Sequence, residues 1–183
     1  MKLITVFGGS NPKAGQPAYA EALLLGRLLG QAGYTVLTGG YVGTMEAVSR
    51  GANEAGGHVI GVTCDEIELW RQVGANAWVQ ENLHEPTLRQ RIWRLAENCD
   101  AALALPGGPG TLTEISFLWN HMIIDALSPR PLILIGPGWK STFEHFFSQL
   151  DGYIPNNQRR WLSFAPDVTA AYQMIVDHFS SKE

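Results

Sequence analysis

The sequence predicts an α/β domain: a doubly wound parallel sheet with helices on both faces, in one unit covering residues 1–183. Three observations carry that prediction. Short apolar runs alternate with helical patterns from the first residues onward, which is how a parallel sheet buried on both faces reads. Three of those runs end in glycine-bearing turns, at Gly8-Gly9-Ser10, Gly39 to Thr44 and Pro106 to Thr111. No internal repeat, linker or low-complexity segment breaks the chain, and its 183 residues suit a single sizeable core.

The elements follow in order. Leu3 to Phe7 is a strand that leaves through Gly8-Gly9-Ser10-Asn11-Pro12. Tyr19 to Gln31, with leucines at 23, 24, 25, 28 and 29, is a helix that ends at Gly33. Thr35 to Leu37 begins a second strand, and the loop after it feeds a helix from about Met45 to Ala55. His58 to Val62 is a third strand. Asp65 to Trp70 reads as a short helix and Ala77 to Gln80 as a short strand. Thr87 to Asn98 is a helix opened by Pro86. Its apolar positions Leu88, Ile92 and Leu95 share a stripe with Arg91 and Arg94, which turns at least Arg91 inward. Ala101 to Leu105 is too short for a helix and is closed by a proline, so it is a buried strand. A helix from Ile115 to Ala126, a strand from Pro131 to Ile135 and a helix from Lys140 to Gln149 come next. A short strand at Trp161 to Phe164 and a helix from Val168 to Phe179 complete the pattern. In such a sheet, ligands bind beyond the carboxyl ends of the strands.

Composition narrows the function. At 45% hydrophobic and 16% charged the chain is globular rather than disordered. A net charge of −4, with no basic cluster beyond Arg89-Arg91-Arg94 and Arg159-Arg160, argues against a nucleic-acid surface. Cys64 and Cys99 lie far apart without metal-ligand spacing and the five histidines are dispersed, so no metal site is expected and a reducing cytoplasm is. The N-terminal apolar run stops at Gly8, too short for a signal-peptide core, and no run reaches membrane-spanning length. A soluble cytoplasmic protein is expected.

The glycine turns carry the chemistry. In a parallel sheet all three lie on one edge and converge on one pocket. Each alone is explained by a tight turn. Together, with Gly43-Thr44 and Gly110-Thr111 both at helix starts, they point to a phosphate-bearing ligand held by backbone N–H groups and the positive helix end. The residues expected at the phosphate or nucleotide are Gly9, Ser10, Gly40, Gly43, Thr44, Gly107, Gly108, Gly110 and Thr111. The second loop is not Gly-x-Gly-x-x-Gly, and no Gly-x-x-x-x-Gly-Lys-Ser/Thr occurs, which argues against the usual dinucleotide and ATPase sites. Glu114 is the unexpected member. A carboxylate beside a phosphate repels it, so it has either a chemical role or the plain one of complementing a helix dipole.

Pro106-Gly107-Gly108-Pro109-Gly110-Thr111-Leu112-Thr113-Glu114 resembles the PGGxGTxxE signature of the Lonely Guy family, once mislabelled as lysine decarboxylases. Gly39 to Val48, Val6 to Ser10 and Gly57 to Val62 are similar to the family's other glycine motif, its opening strand and turn, and its third strand. The resemblance implies a Rossmann-like homodimer that hydrolyses the N-glycosidic bond of a nucleoside 5′-monophosphate to free base and ribose 5-phosphate. Cytokinin riboside monophosphates serve plant-type members and AMP many bacterial ones, and no cofactor is needed. The family's catalytic pair is the signature glutamate, matched by Glu114, and an arginine fifteen residues before the signature proline, matched by Arg91. A carboxylate there stabilises an oxocarbenium-like sugar or activates the attacking water, and the arginine holds phosphate or orients the carboxylate.

The chain departs from the family in places. Leu88-Arg89-Gln90-Arg91-Ile92 stands where members read Met-His-Glu-Arg-Lys, Glu46 replaces a frequent glycine, and Pro109 stiffens the signature loop and removes one N–H donor. These changes bear on base recognition or phosphate contact. The alternative function is a nucleotide or cofactor carrier, such as the molybdenum-cofactor carriers that resemble this fold, for which the Arg91 and Glu114 pair is unnecessary. A pyridoxal-phosphate enzyme needs a pocket lysine. Of Lys2, Lys13, Lys140 and Lys182, only Lys140 lies away from termini and surface turns, and it is far from the glycine loops. On the helix after the signature, Trp119, Met122 and Ile123 are expected to pack against a partner subunit, and His121 to be a satisfied buried histidine.

Overall fold

The computed structural model describes residues 1–181. Seven strands form one sheet in the order β4-β3-β2-β1-β5-β6-β7, and every neighbouring pair is parallel. They are β1 (Leu3–Phe7), β2 (Thr35–Thr38), β3 (Val59–Cys64), β4 (Glu81–Glu85), β5 (Ala101–Ala104), β6 (Leu132–Ile135) and β7 (Ser163–Ala165). Between and after them run α1 (Pro17–Gln31), α2 (Thr44–Glu54), α3 (Asp65–Arg71), α4 (Leu88–Glu97), α5 (Pro109–Ile123), α6 (Pro137–Gln149), a 3₁₀ turn at Asp151–Tyr153, α7 (Asn156–Arg159) and α8 (Val168–Ser180).

Alternate residues of each strand face opposite layers. Leu103, Ile133 and Ile135 join Leu25, Leu29, Val48 and Ile175 in a core under α1, α2 and α8. Ala102, Ala104, Leu132 and Leu134 join Leu95, Ile115, Leu118 and Phe143 in a second core under α4, α5 and α6. Both faces are covered, which is the doubly wound, Rossmann-like arrangement the alternating runs predict.

Several boundaries differ from the sequence reading. The fourth strand is Glu81–Glu85, not Ala77 to Gln80. Residues 77–80 form a turn in which the Gln80 N–H and side chain are tied to Val59 by backbone and side-chain bonds. The true strand is a polar edge with only Leu83 and Glu85 half-buried, so it has no apolar run to betray it. The last strand is Ser163–Ala165 rather than Trp161 to Phe164. Thr87, not Pro86, caps α4, its side chain accepting from the Gln90 N–H. The signature helix begins at Pro109, inside the glycine motif, with Gly108 as its cap. Proline is well suited to this first helical position, and here it leaves one fewer donor at the helix end.

Strand order reverses between β1 and β5. From β1 the chain crosses to α1 on one face, and from β5 to α5 on the other. The two connections part at that point and leave a crevice at the carboxyl ends of both strands. No helix among the described residues is long and apolar enough to cross a membrane.

Candidate active site

The three glycine turns meet at this crevice and are bonded to one another. The Gly9 N–H donates to the Pro106 carbonyl at 3.3 Å, which joins the turns after β1 and β5. The Thr44 N–H and hydroxyl donate to the Gly9 carbonyl at 2.9 and 3.0 Å, which joins the turn after β2. The close approach explains the glycines. A Cβ on Gly43, where φ is +79°, would lie 2.5 Å from the Gly9 carbonyl oxygen, and one on Gly9 would lie 3.3 Å from the Gly107 Cα.

The crevice opens into a cleft of about 730 Å³ lined by Gly9, Ser10, Gly107, Gly108, Gly110 and Thr111, with Arg91 and Glu114 in its wall. Gly40, Gly43 and Thr44 are not among the lining residues. They brace the site from behind: the Gly40 carbonyl accepts from the Asn76 backbone and side chain, and Thr44 holds Gly9.

Two helix ends were candidates for an anion, and the structure separates them. At α2 the Thr44 N–H already bonds Gly9, and Glu46 supplies a negative charge in the first turn, its carboxylate accepting from the Tyr19 hydroxyl at 3.1 Å. At α5 no acid occupies the first turn. Leu112 is the first residue to donate within the helix, to the Gly108 carbonyl at 3.0 Å, so the N–H groups of Gly110 and Thr111 precede the ladder. Both residues line the cleft, and unpaired N–H groups at a helix start are the groups that bind anions.

Glu114 sits one turn further along α5, and Arg91 on the middle of α4. Both are buried, with exposures of 8% and 4%. The Arg91 guanidinium donates from Nε to the Val62 carbonyl at 2.8 Å, from one terminal nitrogen to the Gly39 carbonyl at 3.2 Å, and from the other to Glu114 Oε1 at 3.4 Å. Its charge lies over the Tyr41 ring, 5.5 Å from the centroid. Tyr41 is itself fixed, its hydroxyl accepting from the Cys64 N–H at 2.7 Å, and burial pushes its pKa up to about 12, so it stays neutral. Burial likewise pushes the Glu114 carboxyl above the ordinary glutamate value, and the Arg91 charge and hydrogen bond pull against that rise without cancelling it. A carboxylate with a raised pKa beside an acid-free helix end is the kind of group that can serve as a base or charge stabiliser.

The sequence reading missed the far wall. Tyr41, Met45 and Leu88 line the cleft, together with Glu66, Ile67, Trp70 and Arg71 from α3. The α3 residues carry no glycine motif and no periodic apolar stripe, so nothing local marks them. Trp119 and Met122 are buried within this chain, where Trp119 packs edge-on against Phe143 and Phe147, rather than facing a partner, and Ile123 is half-buried. His121 is satisfied by the Phe117 carbonyl at 2.7 Å. Of the lysines, Lys182 lies outside the described residues, and Lys2, Lys13 and Lys140 are not among the lining residues.

Comparisons with known proteins bear on the family. A protein of Oryza sativa subsp. japonica named as a probable cytokinin riboside 5′-monophosphate phosphoribohydrolase is 36% identical over 169 residues, covering 89% of this chain and 67% of its own. A Mycobacterium tuberculosis protein named as a cytokinin riboside 5′-monophosphate phosphoribohydrolase is 30% identical over 129 residues, 68% of this chain and 67% of its own. The fold matches the molybdenum cofactor binding protein of Rippkaea orientalis with a TM-score of 0.76 at 23% identity, covering 97% of both chains. At that identity the likeness is one of fold. The SLOG cluster4 family model (LDcluster4) matches residues 1–136. The chain belongs to the SLOG cluster4 family, a group of Lonely Guy-type proteins, as its PGGxGTxxE string implies.

Proposed function

We propose that this chain hydrolyses the N-glycosidic bond of a purine nucleoside 5′-monophosphate, AMP or a cytokinin riboside monophosphate, to free base and ribose 5-phosphate. The observation that carries the reading is the buried Arg91–Glu114 pair in the wall of a cleft whose floor is an acid-free helix N-terminus. The 5′-phosphate sits against the N–H groups of Gly110 and Thr111 and the turn at Gly9 and Ser10. The ribose is then carried past Glu114. As the glycosidic C–N bond breaks, its electron pair leaves with the base and the sugar becomes oxocarbenium-like. The Glu114 carboxylate stabilises that charge and takes a proton from the water that adds to the anomeric carbon; it returns that proton to solvent, from which the departing base takes one. Arg91 keeps the carboxylate aimed. The names of the family relatives support the same reaction class.

We place the enzyme in the cytoplasm, in keeping with two free, buried cysteines, and as a homodimer. The test is to incubate purified protein with AMP, GMP, CMP, IMP and isopentenyladenosine monophosphate and to follow free base by chromatography. Base release is expected from at least one purine monophosphate, with Glu114→Ala slower by about 10²–10⁴-fold. Adenosine is expected to react far more slowly than AMP, because the phosphate holds the sugar. Undiminished release by Glu114→Ala would refute the assignment. Tight nucleotide binding without any turnover would favour a carrier instead.

A further inference from the structure

The cleft has two unlike walls. One is the glycine turns and the α5 end, a surface of peptide N–H groups. The other carries the apolar side chains of Ile67 and Trp70 of α3 and Leu88 of α4, with Glu66 and Arg71 beside them. Trp70 is the notable member. It is 74% exposed on a helix with no buried residue, flanked by acids and an arginine, where a large apolar side chain gains nothing from the protein core. Its one described contact is with its neighbour: the Arg71 guanidinium lies over the indole, 4.7 Å from the ring centroid. An exposed indole lining a cleft, with a cation over one of its faces, has the other face to offer to a flat ring.

The helix is held so that this ring keeps its place. Glu66 accepts from the Leu88 N–H at 2.8 Å, fastening α3 to the start of α4, the helix that carries Arg91. Asp65 is bonded to His84 of β4 at 2.7 Å. The other end is released: Gln72 closes α3 in the left-handed conformation, φ 51°, with Gly74 two residues on. Trp70 therefore sits at the free end of a helix whose root is tied to the Arg91 element.

We propose that Trp70 is the residue that stacks on the base in this cleft, and that through it the site takes purine in preference to pyrimidine monophosphates. The inference rests on the reaction proposed above. With the phosphate at the α5 end and the anomeric carbon at Glu114, the base projects away from the peptide wall towards α3. The apolar wall offers surface for a ring face, so recognition there scales with ring size. The two fused rings of a purine cover more of an indole than one pyrimidine ring does.

The experiment separates base from sugar phosphate. Binding of AMP, CMP and ribose 5-phosphate is measured by calorimetry in a Glu114→Gln background, with and without Trp70→Ala and Trp70→Phe. AMP hydrolysis is measured in the same Trp70 variants with Glu114 intact. Trp70→Ala is expected to weaken AMP by roughly tenfold or more and to narrow the AMP-to-CMP ratio, with ribose 5-phosphate unchanged and Trp70→Phe restoring most of the loss. In hydrolysis the loss falls mainly on KM. Trp70 is so exposed that its removal leaves the fold intact, which circular dichroism checks. An unchanged AMP affinity in Trp70→Ala, or an equal loss for ribose 5-phosphate, would overturn the stacking role while leaving the hydrolase reading standing. Failure of every nucleotide to bind or react, with Trp70 present, would remove the hydrolase reading itself.

Discussion

Arg91 has five N–H donors on a rigid fork, and three of them are engaged with protein oxygens before any ligand arrives. Two of those acceptors, the Val62 and Gly39 carbonyls, are main chain at the ends of β3 and β2, so the guanidinium is anchored to the sheet itself. In the proposed reaction it is therefore suited to orient and charge-balance Glu114, with phosphate capture left to the α5 end. A consequence can be read in pH. In the proposed reaction Glu114 works as a carboxylate, and burial holds its pKa above the ordinary glutamate value. Activity is thus expected to fall as pH drops through that raised value, with an acid limb above the ordinary glutamate range. Arg91→Met removes the opposing pull, so the limb moves to still higher pH and activity near neutrality declines. A pH–rate profile of kcat/KM for the two proteins measures this; an acid limb that stays put in Arg91→Met would contradict the role. Both residues were legible in the sequence, because Glu114 is tied to a specific glycine string and Arg91 to a fixed spacing from it. Trp70 was not, because it belongs to the site only through the folding of α3 over the crevice.

At the scale of elements, α1 and α2 show how sequence sets distance. They pack with main chains almost in contact. A Cβ on Gly51 would run into the Leu23 carbonyl and sit 2.9 Å from the Arg27 nitrogen, and one on Gly26 would sit 2.9 Å from the Ala52 nitrogen. Two opposing effects decide what Gly51→Ala does. Alanine favours an α-helix by about 1 kcal/mol. Forcing a methyl between two backbones costs about 1–3 kcal/mol, and a main chain cannot rotate away as a side chain can. The clash wins, so Gly51→Ala is expected to lower the stability measured by urea unfolding despite its better helix propensity. A gain in the urea midpoint would show that the helices can part freely. The seam was invisible in the sequence, where these glycines look like weak points in helices. The buried strands were the reverse case: Ala101 to Leu105 and Leu132 to Ile135 are apolar throughout because both of their faces are covered, and such runs are read directly. β4 escaped because an edge strand is polar by necessity.

For the molecule as a whole, α4 and α5, the helices that carry Arg91 and Glu114, also share a half-exposed aromatic cluster. Trp93 of α4 meets Phe117 and His121 of α5 at ring-centroid distances of 5.9 and 5.5 Å, and Phe117 stacks on His121 at 4.0 Å. Leu112 and Ile124 lie exposed on the same helix or just past its end. This surface, rather than Trp119 and Met122, is where the proposed second copy is expected to dock. Sedimentation should give twice the chain mass for the native protein and a single mass for Trp93→Glu at low concentration. A native monomer would rule out the dimer, and a Trp93→Glu dimer would move it elsewhere.

The joint between β1 and β5 has a consequence for how the chain comes into being. Its two halves are brought together late: Asp100 bonds Leu3 through both its N–H and its carboxylate, across almost a hundred residues, and Gly9 meets Pro106 beyond the strand ends. A nascent chain that has emerged only as far as α4 holds β1 with one side unpaired, and it lacks the whole cleft wall from Pro106 to Glu114. The proposed ligand affinity therefore arises only when β5 and α5 arrive and zip along that open margin, switched on by the same closure that hides a strand edge from other chains.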